Sequence, residues 1–311
     1  MVNSVMGPID PKELGFTLMH EHINSVNPSM NYAFPDWFNQ KETISKAIKQ
    51  LKEAKQHGLK TIVDATPFNL GRDIRLLREV SEKSDIHIIA STGFYHIEEP
   101  FLFGWNIDHL VNLLIQEVDT GIQGTEIKPG VIKCASETDI SNTNERLLRV
   151  AARAHKQCGL PVITHSSSVN KNGLAQQEIL SDEGVDSKKL VIGHCGDTVD
   201  VNYLESILET GCYIGLDRFG IDSLLPMNSR VDVFVELCEK GYENQLVVSH
   251  DYNVYIDWFP KEKYPIFKAA RAPKWSFHHI MEDIIPVLLE KGISKKQIKT
   301  ITKENPMKIF Q

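Results

Sequence analysis

The chain has 311 residues, 41% of them hydrophobic and 24% charged, with a formal charge of −7 at pH 7. That composition is ordinary for a globular enzyme, and the acidic balance argues against a nucleic-acid partner, which favours a basic face. No apolar run approaches the ~18 residues needed to cross a bilayer, Met1–Gly15 lacks a basic segment followed by an apolar core, and the five cysteines form no paired motif; a cytoplasmic protein with reduced thiols and no membrane partner is expected.

Phe16-Thr17-Leu18-Met19-His20-Glu21-His22 reads as a short apolar strand ending in two histidines. Alternate side chains of a strand share a face, so His20 and His22 point one way and Glu21 the other. A loop with prolines and aromatics spans Asn24 to Gln40. A helix follows from Glu42 to His57, with Ile44, Ile48 and Leu51 on one side and Gly58 closing it. The alternation then repeats. Strands are predicted at Thr61–Ala65, His87–Ser91, Val131–Ala135, Pro161–His165, Leu190–His194, Cys212–Asp217 and Leu246–Asp251, which with the first make eight. Amphipathic helices lie between them near Gly71–Lys83, Ile107–Thr120, Thr143–Gln157, Gly173–Asp182, Val201–Glu209, Ser229–Glu239 and Ser276–Lys291. Continuous apolar strands alternating with helices imply a parallel sheet covered on both faces. Eight such units fit an α/β fold of the (β/α)8 TIM barrel type, a single domain over residues 1–311, better than an open doubly wound sheet. No Gly-x-Gly-x-x-Gly follows a strand, which speaks against a dinucleotide fold. The tail, Ser294–Gln311, is expected to pack one or two helices on the barrel wall.

In such a barrel, chemistry sits at the C-terminal ends of the strands. His20 and His22 end strand one, Lys133 lies on strand four, His165 ends strand five, His194 ends strand six and Asp251 ends strand eight. A strand-end histidine alone is more often a satisfied polar group than a ligand. The joint pattern brings six candidates to one rim and points to metal ions held by imidazole and carboxylate. His250 should point away and be structural, while His57, His87, His96, His109, His155, His278 and His279 have no such placement. Cys134 and Cys195 sit beside candidate ligands and read as small core residues. Lys133 is flanked by Val131, Ile132, Cys134 and Ala135, where an ammonium is costly to bury. Burial frees the neutral amine, which can add carbon dioxide to become a carbamate able to bridge two cations. The plain alternative is an ordinary lysine paired with Asp251 or Glu137. Arg218, at the end of strand seven, offers a fixed cation near developing charge, or a salt bridge with Asp197 or Asp217.

The set His20-x-His22, Lys133, His165, His194, Asp251 resembles the phosphotriesterase family of the amidohydrolase superfamily, over nearly the whole chain. Gly15–His22, Gly71-Arg72-Asp73, Ile192–Asp197 and Ser249-His250-Asp251-Tyr252 look like family segments. Thr92-Gly93-Phe94-Tyr95, Gly215–Gly220, Ile256-Asp257-Trp258, Lys274-Trp275-Ser276 and Glu282–Pro286 look like its phosphotriesterase-like lactonase branch. The resemblance implies that His20, His22 and Asp251 hold a buried divalent metal ion and that His165 and His194 hold a more exposed one. It implies that carboxylated Lys133 and a hydroxide bridge the two, with zinc, cobalt, iron or manganese equally suited. It further implies that Tyr95 and Arg218 orient the lactone and the water, and that Trp258 and Phe219 belong to the substrate-binding rim. A homodimer is suggested by the same likeness, with Trp37 and Trp105 as aromatic candidates for its surface. The rim His96-Ile97-Glu98-Glu99-Pro100 departs from the branch by being more acidic.

A two-metal rim implies hydrolysis, with Asp251 moving the proton to the leaving group. The last rim loop, Tyr252 to Trp275, is long and aromatic, and long loops of this kind are usually functional. It reads as an apolar cover for a lactone with an acyl tail, such as an N-acyl homoserine lactone or another γ- or δ-lactone, with slow turnover of phosphotriesters. Lys261, Lys263, Lys268, Arg271 and Lys274 form either a solvated face or a grip for an anion, so a sugar-lactone phosphate is an alternative substrate. A true organophosphate triesterase (aryldialkylphosphatase) is another, and a catalytically dead binding module would require missing ligands.

Overall fold

A ring of parallel strands wrapped by helices forms the body of the protein in the computed structural model, which describes residues 1–311. A short antiparallel hairpin of β1 (Val2–Ser4) and β2 (Gly7–Ile9) precedes it; strands of this length carry no readable period and were not expected. The barrel strands are β3 (Phe16–Ser25), β4 (Leu59–Asp64), β5 (His87–Gly93), β6 (Val131–Ala135), β7 (Val162–His165), β8 (Leu190–Ile192), β9 (Tyr213–Leu216), β10 (Leu246–Val248) and β11 (Asn253–Ile256). They pair in parallel in the order β10-β9-β8-β7-β6-β5-β4-β3-β11. The two outermost strands are halves of one segment. β10 pairs with β9 and β11 with β3, and between them Asp251 N donates to His20 O (3.0 Å) and His22 N to Tyr252 O (2.9 Å), which closes the barrel. Thus the eight-unit reading holds.

Two cores result from the alternation of side chains along each strand. Inside the ring, Met19, Val63, Ile89, Val131, Ile163, Val191, Tyr213 and Val247 supply one residue from each barrel strand, and Val2, Leu14, Ile309 and Phe310 join them at the N-terminal end. Outside the ring, a larger core fills the space between strands and helices. The tail therefore does more than lie on the wall: its last buried residues plug the barrel floor. That floor needs apolar caps because the strand ends would otherwise open the inner core to water.

Local departures from the expected elements have identifiable causes. The stretch after β3 contains a helix at Pro28–Ala33, started by Asn27, whose side chain accepts from Met30 N; six residues are too few to show a period. The last rim loop contains β11 and a helix at Lys263–Arg271. The helix expected over Ser276–Lys291 begins as a π turn, Ile280–Ile284, before the α-helix Ile285–Glu290, and the tail repeats this with Thr300–Glu304 before Asn305–Ile309. A proline, Pro286 or Pro306, follows each π turn; it has no N–H to continue the regular ladder.

Candidate metal centre

The aim of each candidate ligand is set by its strand. In β3, Leu18 pairs with Ile62 and Glu21 with Asp64, so the register slips by one residue between them. This bulge resets the alternation. Before it, Leu18 faces the outer core and Met19 the interior. After it, His20 and His22 both point into the mouth of the ring. Glu21 turns aside and accepts from Ser249 Oγ, His250 N and Tyr252 N, tying β3 to the last strand. Lys133 lies two residues beyond inward-facing Val131, and His165 two beyond Ile163. His194 and Asp251 sit in left-handed backbone at φ 61° and 54°, a conformation that costs a non-glycine residue roughly 1–2 kcal/mol and persists where surroundings impose it.

These six side chains converge. The nitrogen and oxygen donors of His20, His22 and Asp251 lie within 4.8 Å of one another, with His22 Nε2 3.1 Å and His20 Nε2 3.8 Å from Asp251 Oδ1. His165 Nδ1 lies 3.0 Å from His194 Nε2, and His194 Nε2 is 3.9 Å from Asp251 Oδ2. Lys133 Nζ is 2.7 Å from His20 Nε2. Lys133 forms no ion pair within 4 Å of Asp251 or Glu137. Asp251 pairs with His22 and Arg218, and Glu137 with His96 and His165.

Burial dominates the electrostatics. It pushes the Lys133 ammonium down to about 8, and holds His20 down to about 4 and His165 down to about 3. Burial alone would raise the Asp251 carboxyl, but His194 and Arg218 hold it well below the carboxylate range. Burial raises the Tyr95 phenol, which stays protonated. Neutral imidazoles, an ionised carboxylate and a lysine prepared to lose its proton form a donor set that fits a pair of divalent ions.

A cavity of about 360 Å³ opens above this floor. His22, Lys133, Glu137, His165, Arg218, Asp251 and Tyr95 line its polar side, and Leu70, Ile221, Leu224, Ile256, Trp258, Phe259, Phe267 and Trp275 its apolar side. Trp258 is 56% exposed at the lip, with its ring 6.2 Å from that of Tyr95.

Comparison with known proteins agrees with this geometry. A profile of the Phosphotriesterase family matches residues 1–310. The chain is 42% identical to the aryldialkylphosphatase of Saccharolobus solfataricus over 97% of its own length and 96% of the relative's. It superposes on the structure of the phosphotriesterase from Mycobacterium tuberculosis with a TM-score of 0.93 at 37% identity, covering 100% of this chain and 98% of that one. The chain belongs to the phosphotriesterase family. A more distant relative, at 29% identity over 98% of this chain and 96% of its own, is an N-acetyltaurine hydrolase of Tetraodon nigroviridis. The family and these relatives make the protein a hydrolase.

Within this phosphotriesterase-family barrel, one reading from sequence needs correction and one alternative closes. Phe219 does not line the cavity: it is 2% exposed and packs in the outer core with Phe234, Val248 and Ile280. It follows Arg218, and where Arg218 turns inward its neighbour turns out toward the helices. The cationic loop residues also stay outside the cavity. Lys261 donates to Asp36 O, Lys268 lies over the Tyr252 ring, and Lys274 pairs with Asp283. His250 is structural as expected, bonded to Glu21 and to Ile280 N. Three contacts around the candidate ligands went unread. Asp217 joins His20 Nδ1 (3.1 Å) to His194 Nδ1 (2.9 Å), and Thr66 Oγ1 meets His22 Nδ1 at 2.7 Å. His96 reaches the rim, 2.9 Å from Glu137. The only signal for Asp217 was its place at the end of a strand, and for His96 its place in the acidic rim segment; Thr66 gave none, because a loop brings it in. Finally, no helix is long and apolar enough to cross a membrane.

Proposed function

We propose that this hydrolase is a binuclear-metal lactonase that opens N-acyl homoserine lactones or other γ- or δ-lactones, with promiscuous action on phosphotriesters. The observation that carries the reading is the cavity itself: Tyr95, Arg218 and Asp251 stand on its polar floor beneath a wall of apolar side chains. In this reading His20, His22 and Asp251 would hold the buried ion, His165 and His194 would hold the exposed one, and Lys133, once carboxylated, would serve both. Two divalent cations bound there supply Lewis acidity and hydroxide at neutral pH.

The chain's own residues do the rest. Arg218 Nε donates to Asp251 Oδ2 (2.9 Å), which fixes the carboxylate with Oδ1 toward His22. Asp251 takes the proton of the attacking water and returns it to the leaving alkoxide, which stays tethered as the ring opens. Arg218 Nη1 also donates to Asp197 (3.0 Å), which holds the guanidinium in place beside Asp251. Tyr95, as a neutral phenol, offers a donor to the lactone oxygen. Trp258 and its apolar neighbours cover the acyl tail. None of Lys261, Lys263, Lys268, Arg271 and Lys274 lines the cavity, so the cationic grip on which the sugar-lactone phosphate reading rested does not face the substrate. The true triesterase reading keeps a specific one, the 42% identical aryldialkylphosphatase.

A panel of an acyl homoserine lactone, a simple γ-lactone, a sugar-lactone phosphate and paraoxon decides between them by kcat/KM. The acyl lactone is expected to lead; a triester ahead by orders of magnitude would overturn the lactonase reading. Two further parts of the proposal are a homodimer and a cytoplasmic location. Tyr32, Phe34, Phe103 and Trp105 are exposed aromatics that a second copy would cover, whereas Trp37 is engaged with Asp257. All five cysteines are free, which suits a reducing compartment.

A further inference from the structure

Each of the four candidate ligand histidines has one ring nitrogen turned to the cavity floor and one turned away. The outward nitrogens of His20 and His194 share the buried carboxylate of Asp217, and that of His22 meets Thr66. His165 stands apart from this bracing. Its Nδ1 faces His194, and its Nε2 lies 3.4 Å from Oε2 of Glu137, just beyond β6. The same oxygen is 2.9 Å from Nε2 of His96, on the rim segment after β5.

We propose that Glu137, clamped by His96, is a positioning residue that sets the ring of His165 and thereby the hold on the more exposed metal ion. The inference rests on the two-metal reading above and adds a residue pair to it. An imidazole whose second nitrogen is bound to a carboxylate has a fixed ring plane and is a stronger donor. Asp217 does this for two rings from a position 1% exposed, whereas the Glu137 side chain is 56% exposed and is held by a loop histidine. The second brace is therefore the softer one. It makes the exposed subsite the one that empties first, and it ties that subsite to the acidic rim.

Zinc binding tests this. Metal-free wild type, Glu137→Gln and His96→Phe are loaded with zinc and dialysed against a graded chelator, and zinc per chain is measured at each free-zinc level. Wild type is expected to hold two ions. Glu137→Gln should release the weaker one at free zinc 10- to 100-fold higher than wild type does, with the tighter one unmoved. His96→Phe should shift the same ion by less. Circular dichroism of the metal-free forms should coincide. An unchanged weaker site in Glu137→Gln, or equal weakening of both, overturns the inference. A wild type that binds a single zinc instead removes the two-metal reading on which it stands.

Discussion

Arg218 is the residue on which the chemistry and the metal site can be told apart. It holds Asp251 through Nε and Asp197 through Nη1, yet it is not itself a candidate ligand. Arg218→Ala should lower kcat for the lactone by about 10²-fold, the usual cost of losing one fixed donor at developing charge, while elemental analysis finds the same metal content per chain. Loss of metal would mean that its role is to place Asp251. His250 gives a prediction of a different kind. Its Nε2 accepts from Ile280 N, so Nδ1 carries the proton given to Glu21. Burial, with His278 nearby, holds this imidazole down to about 3. The folded value lies below the unfolded value of about 6.5. The neutral ring therefore contributes stability in full above that pH and loses it as the pH falls toward 3; His20 and His165 act with the same sign. Burial raises Glu21 to about 8, which acts in the opposite sense, but three imidazoles set the sign: the melting temperature of the metal-free protein should fall from pH 6.5 to 4, and a flat profile across that range would contradict the assignment.

Among the elements, the junction of β5 and β6 controls where Lys133 stands. Gly93 pairs with Lys133 across this junction at φ +116°, and a Cβ there would lie 1.9 Å from Lys133 O. Gly93→Ala must push the strands apart or change the backbone of Gly93. Expected results are a lower melting temperature and zinc below two ions per chain, read by calorimetry and elemental analysis. Retention of both properties would show that the junction has slack. β3 shows how far a strand can be read in advance. That His20 and His22 share a face follows from the period of two. That this face is the interior does not follow, because Leu18 has the same parity and lies in the outer core. The bulge between Leu18 and Glu21 decides it, and its cause is the fit of β3 against β4, a pairing of residues more than forty positions apart.

For the molecule as a whole, chemistry and closure lie at opposite ends of the barrel. The cavity opens at the C-terminal ends of the strands, and Ile309 and Phe310 seal the other end. Deleting residues 309–311 should cost ~3 kcal/mol or more, from about 1.5–3 kcal/mol for each large apolar side chain exposed. KM should be unchanged, as measured by unfolding and by kinetics on the same variant. A changed KM would mean that the floor transmits its packing to the rim. Periodicity alone determined the eight strands, the helices between them and the placement of all six candidate ligands on or just after those strands, because an apolar strand or an amphipathic helix is written in neighbouring residues. The tertiary structure alone decided which way those side chains aim, that Asp217, Thr66 and Glu137 lie against the four histidines, that Phe219 belongs to the core, and that the loop lysines stay outside the cavity. Each of these depends on a register slip, a left-handed residue or a loop closing over a long stretch of chain, and such contacts leave no local period to read.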